Sequence, residues 1–261
     1  MTEVIVVGSE AEAGELAAQS ILRLISKKPD AVLGLATGST PLPVYRALAE
    51  LLAKNPVDVS RVRGFALDEY VGLAPEDPQS YRSIITREVV EPLGLDPALI
   101  QVPNGAIDTI EQAGEEYERA IVAAGGIDVQ LLGIGTDGHI GFNEPGSSFE
   151  SLTRVKTLTR QTRADNARFF ASPDDVPVHC VTQGLGTIRR ARKLLLLAFG
   201  AGKARAVAGA IEGPVTASNP ASAIQLHPKA AVILDEAAAS ELAGLDYYRF
   251  VWDNKPSWQR L

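Results

Sequence analysis

The chain alternates short, almost wholly apolar runs with longer stretches in which apolar residues recur every three or four positions. The runs Val4–Val7, Ala31–Ala36, Arg63–Leu67, Asp128–Gly133, Lys193–Phe199 and Ala230–Leu234 read as strands. They are too short for helices, and both faces of each are apolar, as in a sheet covered on both sides. Helical spacing marks Ala11–Ser26 (Leu16, Ile21, Leu24, Ile25) and Pro43–Ala53 (Val44, Leu48, Leu51, Leu52). It also marks Ser80–Val90, Thr109–Ala124, Lys203–Glu212 and Glu236–Ala243. Repeated strand–helix units predict an α/β, Rossmann-like fold, a mostly parallel sheet with helices on both faces. No repeat, low-complexity tract or linker interrupts it, so the expectation is a single domain over residues 1–261.

Composition narrows the function classes. A chain of 261 residues, 46% apolar and 22% charged, is ordinary for a folded protein and too apolar for disorder. Its 25 Lys and Arg against 32 Asp and Glu give a formal net charge of −7, which argues against nucleic acid or an anionic membrane as partner. One cysteine, Cys180, rules out an internal disulfide and a cysteine-rich zinc site. The opening MTEVIVVG has no basic region followed by a long apolar stretch, so it does not read as a signal peptide. No window approaches the roughly 18 residues of a membrane span, and a cytoplasmic protein is expected.

Three motifs fall at strand ends, where ligands bind in such sheets. Thr37-Gly38-Ser39-Thr40 lies between a strand and a helix. Its glycine and hydroxyls suit an anion cradle; they equally suit a turn with a Ser or Thr helix cap. Asp68-Glu69 follows the third strand. Adjacent strand side chains point to opposite faces, so one acid can face a cleft as a base while the other braces a loop; a solvated loop is the alternative. Asp137, His139 and Glu144 lie within eight residues of glycine-rich chain after the fourth strand. A histidine between carboxylates suits general acid–base work. A metal site is the weaker reading, because His179 and His227 lie in unrelated contexts. Cations come from later segments: Arg163 and Arg168 in TRADNARFF, and Lys203 directly after the buried strand. Arg154, Lys156 and Arg160 form another basic group, read as an exposed face.

Taken together, these segments resemble the glucosamine-6-phosphate deaminase family. The resemblance rests on ATGSTP at Ala36–Pro41, LDEYVGL at Leu67–Leu73, SYRSII at Ser80–Ile85, GIGTDGHIGFNEPGSS at Gly133–Ser148, TRADNARFF at Thr162–Phe170, GLGTI at Gly184–Ile188 and QLHPKA at Gln225–Ala230. It implies conversion of glucosamine 6-phosphate and water to fructose 6-phosphate and ammonia, by ring opening, aldose–ketose isomerisation and loss of the amine. Asp68 matches the base that moves the proton between C2 and C1. His139 matches the acid–base group for ring opening, with Asp137 and Glu144 as its carboxylate partners. Thr37, Gly38, Ser39 and Thr40 match the phosphate loop, and Arg168 and Lys203 the basic phosphate ligands. The resemblance implies a small-molecule sugar phosphate as partner, and neither cofactor nor metal.

Some members of that family are homo-oligomers, hexamers activated by N-acetylglucosamine 6-phosphate between subunits. Ser147, Arg154, Lys156 and Thr157 match that effector motif, and Tyr247 matches an aromatic contact, although the C-terminal segment departs from the family pattern. The same fold hosts 6-phosphogluconolactonases and sugar-sensing regulators. Asp68 within DEYVGL argues against the lactonase. A first strand at Val4 leaves no room for the added DNA-binding module of a sensor.

Overall fold

The structure is a computed structural model that describes residues 2–256, 258, 259 and 261. Its centre is a seven-stranded, wholly parallel sheet in the order β1-β10-β9-β6-β2-β3-β5. The strands are β1 (Glu3–Val7), β2 (Val32–Leu35), β3 (Arg63–Ala66), β5 (Ile100–Gln101), β6 (Val129–Leu132), β9 (Leu194–Ala198) and β10 (Ala230–Asp235). A three-stranded antiparallel sheet, in the order β4-β8-β7, comprises β4 (Asp68–Tyr70), β7 (Arg154–Thr157) and β8 (His179–Thr182). Every residue of β2, β6 and β9 is buried, as expected for strands covered on both faces. The helices are α1 (Glu10–Lys27), α2 (Leu42–Lys54), α3 (Tyr81–Ile85), α4 (Glu91–Leu93), α5 (Ile110–Ala123), α6 (Arg160–Asn166), α7 (Leu185–Arg189), α8 (Ala204–Ile211) and α9 (Leu245–Asp253). None among the described residues is long and apolar enough to cross a membrane.

The strand order fixes the place of the site. From β2 the chain proceeds outward to β3 and β5; from β6 it proceeds the other way, to β9 and β10. The direction of winding therefore reverses between β2 and β6, and the loops that leave these two strands part there, opening a crevice at their carboxyl ends. Close packing below the crevice depends on Gly34. A Cβ there would lie 2.0 Å from Oε1 of the fully buried Gln130 on the next strand.

All six expected strands exist, with ends shifted by a residue or two, and five of the six expected helices have a counterpart. Ser80–Val90 is helical but not uniform: α3 passes through a π turn, Thr86–Val90, into α4. Residues 236–243 are a correction, because they form turns rather than a helix. The Asp235 carboxylate accepts from Ala238 N at 2.7 Å and from Gly200 N at 3.0 Å. Glu212 then accepts from Ala243 N and Gly244 N, each at 2.8 Å. These side chains hold the backbone in turns, and the helix, α9, begins only at Leu245. The basic group Arg154, Lys156 and Arg160 is a second correction. Arg154 and Lys156 are half-buried on β7, and only Arg160 is exposed.

Candidate active site

The crevice is a cavity of about 360 Å³, within the range of small-ligand pockets. Its wall includes Thr37, Gly38, Ser39 and Thr40 after β2, Asp68 and Tyr70 on β4, His139 after β6, Arg168 after α6, and Lys203 after β9.

At the end of β2 the chain turns through Gly38, whose φ of +89° lies in the region that favours glycine. The helix α2 then starts with Pro41 at its cap and no side-chain cap bond. The Thr and Ser hydroxyls of this loop are therefore not used to cap α2, which removes the capping alternative. The exposed backbone of Gly38 and Ser39, beside the start of a 13-residue helix, is what an anion needs.

At the end of β3 the chain continues straight into β4, and the alternation of strand side chains separates the two acids. Asp68 is buried on the cavity wall. Burial, and secondarily the neighbouring Glu69, pushes its carboxyl up to about 8. Glu69 points away and accepts from Tyr70 N at 2.8 Å and from Tyr81 N and Arg82 N at 2.9 Å each. It holds the first amides of α3, the bracing role read from the sequence. Burial raises its carboxyl too, opposed by these three amides.

The loop after β6 is shaped around His139. A Cβ on Gly135 would lie 2.2 Å from His139 Cε1, so only glycine lets the ring fold back over this turn. His139 Nδ1 lies 2.7 Å from Asp137 Oδ1 and 3.6 Å from Glu144 Oε2. Asp137 also accepts from the His139 backbone amide at 3.1 Å. The hydrogen bond to His139 holds the Asp137 carboxyl well below its usual range. Glu144 is buried, its other oxygen accepting from Thr162 Oγ1 at 2.5 Å. With both carboxylates on the Nδ1 side, Nε2 is the nitrogen left for a ligand in the cavity. Asp137 and Glu144 stand behind His139 rather than on the wall. Their ligand atoms and that of His139 lie within 4.8 Å of one another, so among the described residues these three are the group that could hold a metal ion.

Two cations also line the cavity. Lys203 stands where β9 meets α8, and burial lowers its ammonium. The Arg168 guanidinium lies 4.7 Å from the centre of the Phe169 ring. The cavity thus combines a desolvated carboxyl and a histidine with hydroxyls, backbone amides and two cations.

Of the residues matched to an effector motif, Arg154, Lys156 and Thr157 share β7, and Tyr247 lies on a different element. Ser147 is buried, its hydroxyl donating to Glu144 O at 2.7 Å. Arg154 Nη1 donates to Asn143 Oδ1 at 2.9 Å. Lys156 and Thr157 lie on β7, which packs on α5. Tyr247 is on α9, which packs on β1 at the far edge of the main sheet. Residues that the sequence reading left without a role also line the cavity, among them Tyr70, Tyr81, Arg87, Glu88, Phe142 and Asn166. Tyr70, Tyr81, Phe142 and Asn166 all fall in the motifs that carry the family resemblance, which is the signal for them in the sequence. Arg87 and Glu88 have no such signal, because their place depends on the π turn.

The profile of the glucosamine-6-phosphate isomerases/6-phosphogluconolactonase family matches residues 9–233. A glucosamine-6-phosphate deaminase of Bifidobacterium longum is 59% identical over 99% of each chain. One of Pseudarthrobacter chlorophenolicus is 58% identical over 98% of this chain and 99% of its own. The structure of a monomeric glucosamine-6-phosphate deaminase superposes with a TM-score of 0.90 at 42% identity, covering 92% of this chain and 100% of that one. A 6-phosphogluconolactonase from Trypanosoma brucei, at 20% identity and a TM-score of 0.73 over 93% of this chain and 99% of its own, shares the fold. A family profile spanning most of the sequence, and near-full-length identity above one half, make this chain a member of the glucosamine-6-phosphate isomerase/6-phosphogluconolactonase family.

Proposed function

We propose that this protein is a glucosamine-6-phosphate deaminase, converting glucosamine 6-phosphate and water to fructose 6-phosphate and ammonia. The observation that carries the reading is Asp68, a buried carboxyl on the wall of a cavity that also carries hydroxyls and the cations Arg168 and Lys203. Lactone hydrolysis needs no base at C2, and enolisation does. The phosphate sits against Thr37–Thr40 with Arg168 and Lys203 as counter-charges. His139 shuttles the ring proton through Nε2 while Asp137 and Glu144, on its Nδ1 side, orient the ring. Asp68 then carries a proton from C2 to C1. Its carboxylate is a weak base in water; burial raises its proton affinity to the level that the step requires.

The chain acts as one domain, 1–261, on a charged metabolite of the cytoplasm. The homo-oligomer and its effector response have less support: the 42% identical relative is described as monomeric, and Ser147 and Arg154 are engaged within the chain. Sigmoidal kinetics made hyperbolic by N-acetylglucosamine 6-phosphate would restore that expectation. The function is tested by ammonia release from glucosamine 6-phosphate, with 6-phosphogluconolactone as the control substrate. Hydrolysis of the lactone without ammonia release from the amino sugar would transfer the assignment to the other branch of the family.

A further inference from the structure

The anion side of the cavity is built from parts far apart in sequence. The loop Thr37–Thr40 leaves the main sheet, whereas Arg168 rides on the short turn Ala167–Phe169 after α6, above the small sheet. A guanidinium on an exposed turn is a poor phosphate ligand unless something fixes the turn, because ordering a long side chain and its backbone costs conformational entropy.

A chain of hydroxyls supplies the connection. Tyr81 lines the same cavity as the Thr37–Thr40 loop. The Tyr81 hydroxyl donates to the Tyr70 hydroxyl at 3.4 Å. Asn166 Nδ2 donates to the same Tyr70 oxygen at 3.0 Å. Phe170 packs edge-on against the Tyr70 ring, with centroids 5.6 Å apart at 83°. Residues 166 and 170, on either side of Arg168, are therefore both seated on Tyr70. Tyr70 itself is 2% exposed and fixed in β4, in the cluster with Phe142, Leu158, Val176 and Cys180. Glu69 contributes by holding the amide of Tyr81.

We infer that Tyr70 and Tyr81 are positioning residues of the anion site: the chain Tyr81–Tyr70–Asn166 holds the Arg168 turn against the cavity that it shares with the Thr37–Thr40 loop. The inference deepens the proposed function, because it takes the anion to be the substrate's phosphate. Neither tyrosine is required to touch the reacting carbons. Their effect is on affinity for the phosphate and runs through Arg168.

The test uses the full chain and inorganic phosphate as the probe, by calorimetric titration, alongside KM and kcat for glucosamine 6-phosphate. Tyr70→Phe keeps the ring against Phe170 and removes the shared acceptor. It should weaken phosphate binding and raise KM about 3- to 10-fold, the range of one or two lost hydrogen bonds, with kcat within about 2-fold. Tyr81→Phe should act in the same direction. In an Arg168→Ala background, Tyr70→Phe should add less than about 2-fold, since residues acting through one group are not additive. Asn166→Ala, at the solvent side of the network, gives the same reading should Tyr70→Phe not fold. Unchanged phosphate affinity in the folded variants would overturn the inference. So would a full additional loss in the Arg168→Ala background, or no phosphate binding by the unaltered protein. Failure of the deaminase assignment looks different: phosphate binds and responds to Tyr70→Phe, while no ammonia is released.

Discussion

At the end of β2 the chain leaves the main sheet through an open loop, whereas at the end of β3 it passes directly into the small sheet. The two exits deliver different chemistry to one cavity. The main sheet ends in turns with backbone amides and glycines: Gly38 is exposed at φ +89°, and Lys203 follows β9 at the start of α8. The small sheet contributes three consecutive buried residues, Asp68, Glu69 and Tyr70. An anion is well served by amides and cations with access to water, which need little desolvation. A carboxylate that must take a proton from carbon is served by burial, because burial raises its proton affinity. The parallel sheet gives binding groups at its strand ends; the antiparallel addition gives the desolvated base.

The largest expected effect is that of Asp68→Asn. Turnover should fall about 10²- to 10⁴-fold, the usual worth of a positioned acid–base group, while phosphate binding on the main-sheet side persists. Retained ammonia release would end the division of labour between the sheets. Asp68 also sets a pH dependence. As a base it works ionised, so kcat/KM of the unaltered protein should fall as pH drops below about 8. Stability runs the other way. Between its ordinary 3.8 and about 8, the folded chain keeps the Asp68 proton and the unfolded chain does not. The unfolded state binds fewer protons there, so stability falls as pH rises through this window. Asp68→Asn removes that slope and should raise the melting temperature at pH 8 by at least about 2 °C. A melting temperature lowered at pH 8 would contradict the burial argument.

Gly135→Ala probes the main-sheet side. Its methyl group would meet the His139 ring at 2.2 Å, so the ring must move. A displacement of about 1 Å at an acid–base group costs on the order of 10²-fold in rate, and the loss should be in kcat with the fold intact. Open-chain substrate should relieve part of it, because His139 serves ring opening. A normal rate would mean that the position of the ring is not set by this turn.

Glu69→Gln is the smallest effect and tests the partition of the two acids within β4. Weakening two amide bonds at the start of α3 and one within β4 should cost about 1–2 kcal/mol of stability, measured by denaturant unfolding. Removal of the neighbouring charge should also lower the pKa of Asp68, moving the acid limb of the rate profile to lower pH. An unshifted limb would mean that desolvation alone sets Asp68.

The legible part of the sequence was the part governed by local rules. The main-sheet strands are runs such as Leu194–Ala198, apolar on both faces, and no other element explains such runs. The small sheet escaped notice because β4 is Asp-Glu-Tyr and β7 is Arg-Val-Lys-Thr, patterns that resemble loops until a partner strand is present. Helical propensity at 236–243 is high, which predicts a helix; the side chains of Asp235 and Glu212, the latter directly after α8, decide for turns.

By itself the sequence determined the alternation of strands and helices, the placing of three motifs at strand ends, and the family whose motifs they match. Only the tertiary structure decided which of two adjacent buried acids faces the cavity, that Asp137 and Glu144 share the Nδ1 side of His139, and that Tyr70 seats both flanks of the Arg168 turn. It also separated Tyr247 from Arg154, which motif matching had grouped. The physical reason is range. Apolar periodicity and turn chemistry act over a few residues. Desolvation and hydrogen-bond partnership depend on what packs alongside, and for Asp68 that is the chain at Gly141 and Thr182, more than 70 residues further on.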